Sequence, residues 1–116
     1  MILVSAVLVF ANQEDRDKAV ELTADIQMAT RTEEDGCETY CFAADPSEPN
    51  YIQVYERWDS EEALETHFAH PTYARMVKAL GSCNIVESRN RMYAVSNDQS
   101  VYHDDGSPRS VPFFGD

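Results

Sequence analysis

Residues 2–10, ILVSAVLVF, are apolar almost without alternation, the pattern of a strand covered on both faces. Asn12 then offers a helix cap, with Asp15 three residues on, and Ala19, Leu22, Ile26 and Ala29 keep helical spacing to about Thr30. The turn-rich EEDG of 33–36 ends that helix and leads into a second strand, Cys37–Ala44. The loop DPSEPN at 45–50 has hairpin chemistry, and Tyr51–Trp58 follows as a third strand. On it Ile52, Val54, Glu56 and Trp58 share one face, and Tyr51, Gln53, Tyr55 and Arg57 share the other. Asp59 or Ser60 caps the next helix, which carries Leu64, His67 and Phe68 and breaks near Pro71. A further helical stretch holds Tyr73, Met76, Val77 and Leu80 and stops at Gly81; Ile85–Val95 is a fourth strand.

The order βαββαβ predicts an α+β, ferredoxin-like domain over residues 1–96, with an antiparallel sheet and its helices on one face. The other face then needs cover, because the first strand is apolar on both sides and Tyr51, Tyr55 and Tyr40 or Phe42 add bulk beside it. A second copy of the chain is the economical cover, so a homodimer is expected. Residues 97–116 read as a polar, Gly/Pro-containing tail whose apolar VPFF at 111–114 either hooks onto the partner or belongs to a disordered end.

At 116 residues the chain has room for one domain, and 43% hydrophobic with 26% charged residues is the composition of a folded one. Charge narrows its partners. Asp plus Glu number 21 against 9 Lys plus Arg, a net charge of −12, which repels nucleic acids and anionic membranes. The apolar N-terminal run has no basic flank and is far shorter than the roughly 20 residues that span a bilayer. Cys37, Cys41 and Cys83 are odd in number and lack CxxC spacing. With the first two about 13 Å apart on one strand face, they read as free thiols in a reducing, cytoplasmic setting.

Candidate chemistry gathers in ERWDSEEALETHF, residues 56–68. Glu56 shares a face with Ile52, Val54 and Trp58, so a carboxylate among apolar groups needs a partner, and His67 on the apolar side of the next helix is the expected one. Such a pair is either a positioned general base titrating near neutral pH or a satisfied tie between helix and sheet. No HExxH or HxH metal spacing, GxGxxG, P-loop or GxSxG is present. No metal and no cofactor is therefore expected.

The run YIQVYERWDSEEALETHFAHPTYARM resembles the signature of the antibiotic biosynthesis monooxygenase family: an aromatic strand ending E-x-W, an acidic capped turn, Ala-Leu, His nine residues after the Trp, and an H-P-x-aromatic break. Upstream, EDGCETY at 34–40 resembles the family's E-x-G-C-x-x-Y lead into the second strand. The resemblance implies a dimeric α+β barrel and oxygenation of a quinol or other electron-rich aromatic phenol by O₂, with the substrate supplying the electrons. On that reading His67 is base or anion stabiliser, Glu56 its orienting partner, Trp58 a wall, and Val54, Leu64, Phe68, Tyr73 and Met76 complete a substrate cavity between helices and sheet. A haem-degrading branch is disfavoured, because His67 and Met76 stand where that branch has Trp and His. The alternatives are a non-catalytic dimeric binder of a small hydrophobic ligand, such as a stress-response protein, and an isomerase of the same fold.

Overall fold

The computed structural model describes residues 1–115. Its elements are β1 (Ile2–Phe10), α1 (Gln13–Glu33), β2 (Cys37–Ala44), β3 (Tyr51–Trp58), α2 (Glu61–Ala69), α3 (Pro71–Gly81) and β4 (Ile85–Ala94). The four strands form one antiparallel sheet in the order β2-β3-β1-β4, the expected α+β, ferredoxin-like arrangement with its second helical segment broken in two. Asn12 caps α1 by accepting from the Asp15 N–H at 2.8 Å, and Ser60 caps α2 by accepting from the Ala63 N–H at 3.1 Å. Pro71 opens α3, and the extended backbone that a proline demands of its predecessor falls on His70. His70 therefore ends one helix and begins the next, bending the chain between them.

One sheet face packs on the helices through Ile2, Ala6, Leu8, Phe10, Tyr40, Phe42, Ile52, Val54 and Trp58, all buried. Two sequence expectations change here. Tyr40 and Phe42 lie on this covered face, not on the open one, and Tyr40 is only 1% exposed. A bulge between Cys37 and Thr39 sets Cys37 opposite Trp58 while Cys41 stands opposite Tyr55, so the two thiols are on opposite faces. The open face carries Leu3, Val7, Tyr51, Tyr55 and Tyr93, with Tyr55 and Tyr93 about half exposed.

The two sheet edges are treated differently. α1 lies along β2, where the buried Gln27 side chain accepts from the Phe42 N–H at 2.8 Å and donates to the Phe42 carbonyl at 3.3 Å. Arg31 Nε donates to the Tyr40 carbonyl at 2.7 Å. These contacts satisfy outward-facing backbone groups that an edge strand otherwise leaves bare. β4 pairs only with β1, and all its residues beyond Ile85 are exposed. Beyond β4, Val95 donates its N–H to the Met1 carbonyl, and residues 97–115 stand away from the body with every side chain exposed except that of Arg109. The radius of gyration, 16.3 Å, exceeds the roughly 13 Å of a compact chain of this length for that reason.

Gln27→Ala is expected to destabilise the fold by about 2 kcal/mol, because it strands the Phe42 donor and acceptor. Urea unfolding measures this, and a loss below about 0.5 kcal/mol would mean water replaces the clamp at no cost.

Candidate active site

Between the sheet and α2–α3 lies a cavity of about 580 Å³, within the range of small-molecule sites. Its walls include Val4, Tyr40, Phe42, Val54, Glu56, Leu64, His67, Phe68, Tyr73 and Met76, with Asn90 and Met92 from β4. No helix packs closely over β4, so the cavity opens between that strand and the exposed Phe68, Tyr73 and Val77. Seven of the eight predicted site residues, Val54, Glu56, Leu64, His67, Phe68, Tyr73 and Met76, face this space. Trp58 does not form a wall. It is fully buried behind the cavity, with its ring 4.6 Å from that of His67.

The expected Glu56–His67 pair does not form. His67 Nδ1 lies 2.8 Å from Glu34 Oε1, and Glu56 Oε1 instead accepts from Trp58 Nε1 at 3.0 Å. Glu34 follows the last residue of α1, where its N–H caps the Thr30 carbonyl. Its second oxygen accepts from Thr72 Oγ1 at 2.6 Å, and its side chain is only 4% exposed. One carboxylate thus ties the end of α1, the last turn of α2 and the first turn of α3. Gly36, two residues on, has φ +83°, and a Cβ there would come within 2.7 Å of the Ala63 Cβ and Asp59 Oδ1. The close approach that this glycine permits seats the loop after Glu34 against α2.

The carboxylate settles the chemistry of the imidazole. With Nδ1–H donated to Glu34, neutral His67 carries its lone pair on Nε2. His67 is 2% exposed, and Nε2 has no hydrogen-bond partner among the described residues. Arg57 Nε is the sole sealed-off side-chain N or O atom that lacks a partner among those residues, so Nε2 has its free side on the cavity. Glu56 stands between Val4 and Tyr40 in the sheet, and burial pushes its pKa up to about 7. The Trp58 hydrogen bond opposes that rise, and the negative charge of Glu34 adds to it. Glu56 therefore exchanges a proton near neutrality. Cys37 is a poor nucleophile: burial, with Glu34 and Glu56 nearby, pushes its thiol up to about 11. Among the described residues no cluster of His, Cys, Asp and Glu is arranged to hold a metal.

Sequence reasoning missed Glu34, Thr72 and the inward position of Tyr40. Two of them were within view, since Glu34 and Tyr40 are the first and last residues of the E-x-G-C-x-x-Y segment. Helical and strand periodicity do not report a contact between residues 33 positions apart.

The family model for antibiotic biosynthesis monooxygenase matches residues 1–79. A candidate antibiotic biosynthesis monooxygenase from Deinococcus radiodurans superposes with a TM-score of 0.77 at 27% identity, over 89% of this chain and 100% of its own. A second candidate of that name, from Caulobacter crescentus, gives 0.71 at 17% over 82% and 91%. A Mycobacterium tuberculosis protein gives 0.70 at 20% over 86% and 100%; these last two show likeness of fold. No curated protein matches the chain.

Glu56 makes stability depend on pH. Its folded pKa of about 7 stands above the ordinary 4.5, so the protonated form is favoured on folding. This contribution is complete below pH about 4.5, is lost as pH rises through about 7, and amounts to about 3 kcal/mol for a residue only 8% exposed. Urea unfolding at pH 5 and pH 8 should therefore show a larger drop for the native chain than for Glu56→Gln. Equal drops in the two proteins would remove Glu56 as the source.

Proposed function

The chain belongs to the antibiotic biosynthesis monooxygenase family, as its match over residues 1–79 shows, and on that premise we propose that it oxygenates a quinol or another electron-rich aromatic phenol with O₂. A monooxygenase-like role is supported by the family and by the Deinococcus neighbour. The narrower reading is carried by one observation: an imidazole whose Nδ1 is engaged by Glu34 and whose Nε2 opens on an apolar cavity. This is a general base aimed at a bound ligand.

His67 Nε2 takes the phenol proton. The electron-rich phenolate then meets O₂ in a cavity whose Val54, Leu64, Phe68 and Met76 walls keep water sparse. One oxygen atom replaces a ring hydrogen and becomes a quinone carbonyl. The other leaves as water with the two hydrogens that the phenol loses, and the substrate supplies all the electrons. Glu34 is a positioning residue that fixes the tautomer of His67, and Glu56 supplies or accepts a proton as the intermediate collapses. Trp58 holds Glu56 and stacks beside His67.

The working unit in this reading is a cytoplasmic homodimer. Leu3, Val7, Tyr51, Tyr55 and Tyr93 on the mixed open sheet face and the exposed Val111, Phe113 and Phe114 of the tail support a second copy as their cover, and the three free thiols suit a reducing compartment.

Oxygen uptake by the purified protein, freed of metals and flavins, against a panel of quinols and hydroxylated polycyclic aromatics tests the reaction. Turnover above spontaneous oxidation should fall roughly 10²-fold in His67→Ala. Absence of uptake across the panel overturns the oxygenase reading, and tight binding without uptake would favour a ligand-binding protein. Sedimentation at micromolar concentration should give twice the chain mass, and a monomer would remove the dimer.

A further inference from the structure

Tyr40 is a buried polar residue whose hydroxyl has no hydrogen-bond partner among the described residues. It faces the cavity from β2, directly opposite Glu56 on β3, and is 1% exposed. Its ring meets that of Phe42 at 5.1 Å and the edge of His67 at 5.4 Å. Phenylalanine would make the same ring contacts, so packing does not require the hydroxyl. That hydroxyl forms no hydrogen bond with a described residue, yet it is not among the sealed-off atoms, so its small accessible surface borders the cavity. A donor that opens only on the cavity finds its acceptor there, in water or in a ligand oxygen that displaces it. Burial, with the negative charge of Glu56 and Glu34 nearby, pushes the Tyr40 pKa upward, which keeps it a donor.

The two neighbouring rings have opposite capacities. His67 Nε2 accepts a proton, because Nδ1–H is engaged by Glu34, whereas Tyr40 offers one. We infer that Tyr40 is a catalytic residue that donates a hydrogen bond to the oxygen of a bound phenol as His67 removes that oxygen's proton. The inference rests on the phenol reading above. In this step the phenol O–H bond breaks, an N–H bond forms at His67 Nε2, and the electron pair left on oxygen accepts from the Tyr40 hydroxyl. Hydrogen bonds to an anion are roughly twice as strong as those to a neutral oxygen, so Tyr40 favours phenolate over phenol in the bound state.

Binding of 4-nitrophenol tests this without oxygen chemistry, because its phenolate is yellow and its neutral form nearly colourless. At pH 6 the wild-type chain should bind it with a shift of the spectrum toward phenolate. Tyr40→Phe should weaken binding of the ionised form about tenfold. The affinity for 4-nitroanisole, which has no proton to lose, should stay the same in that variant. His67→Ala should bind nitrophenol in its colourless form. An unchanged phenolate fraction and affinity in Tyr40→Phe overturns the assignment, and so does failure of the wild-type chain to bind nitrophenol. Oxygen uptake is read separately, so loss of the oxygenase reading and loss of the Tyr40 assignment are distinguishable.

Discussion

The carboxylate of Glu34 is the interaction on which the rest of the site depends. It lies where three helices meet, it is nearly inaccessible to water, and it accepts from one side chain of α2 and one of α3. A buried carboxylate is tolerated only when its oxygens are satisfied, so each donor is a condition for the helices to sit as they do. The bend at His70 and Pro71 is what lets consecutive helices present His67 and Thr72 to the same group. Without the bend, residues 61–81 would form one straight rod, and only one of those donors would reach Glu34. The orientation of the imidazole is thus a by-product of closing the helical layer on the sheet.

Two buried carboxylates so near each other show two answers to one physical problem. Glu34 has a partner for each oxygen, whereas Glu56 has the Trp58 indole for one and responds to burial by holding its proton more tightly. The environment, not the residue type, divides their roles. The chain is strongly acidic, yet its surface charge has little bearing on this division, since the dominant influence on Glu56 is the absence of water around it.

The fold was legible because its signals are local. The unbroken apolar run of β1, the alternation along β3 and the caps at Asn12 and Ser60 each act within a few residues. The site was legible only in part. Glu56 and His67 were found from strand and helix faces, and both line the cavity. Their supposed pairing failed because a face places a residue in a layer without choosing its partner there. Glu34 sits in a turn, where no periodicity marks it, and it reaches His67 across 33 residues. Tyr40 or Phe42 was placed on the open face, yet both lie on the covered one, since the bulge at the start of β2 shifts the alternation that a regular strand would give.

The unequal sheet edges carry a consequence for assembly. At Tyr40 and Phe42 the outward backbone of β2 is already occupied by Arg31 and Gln27, while the outer rim of β4 pairs with no strand among the described residues. A sheet with two bare rims is divalent, and its copies can join end to end into fibres. This one is monovalent in that respect. Joining two chains rim to rim through β4 would leave a capped β2 at each outer end, so growth by backbone pairing terminates after a single addition. The side chains of one helix thus set an upper limit on how far the sheet propagates.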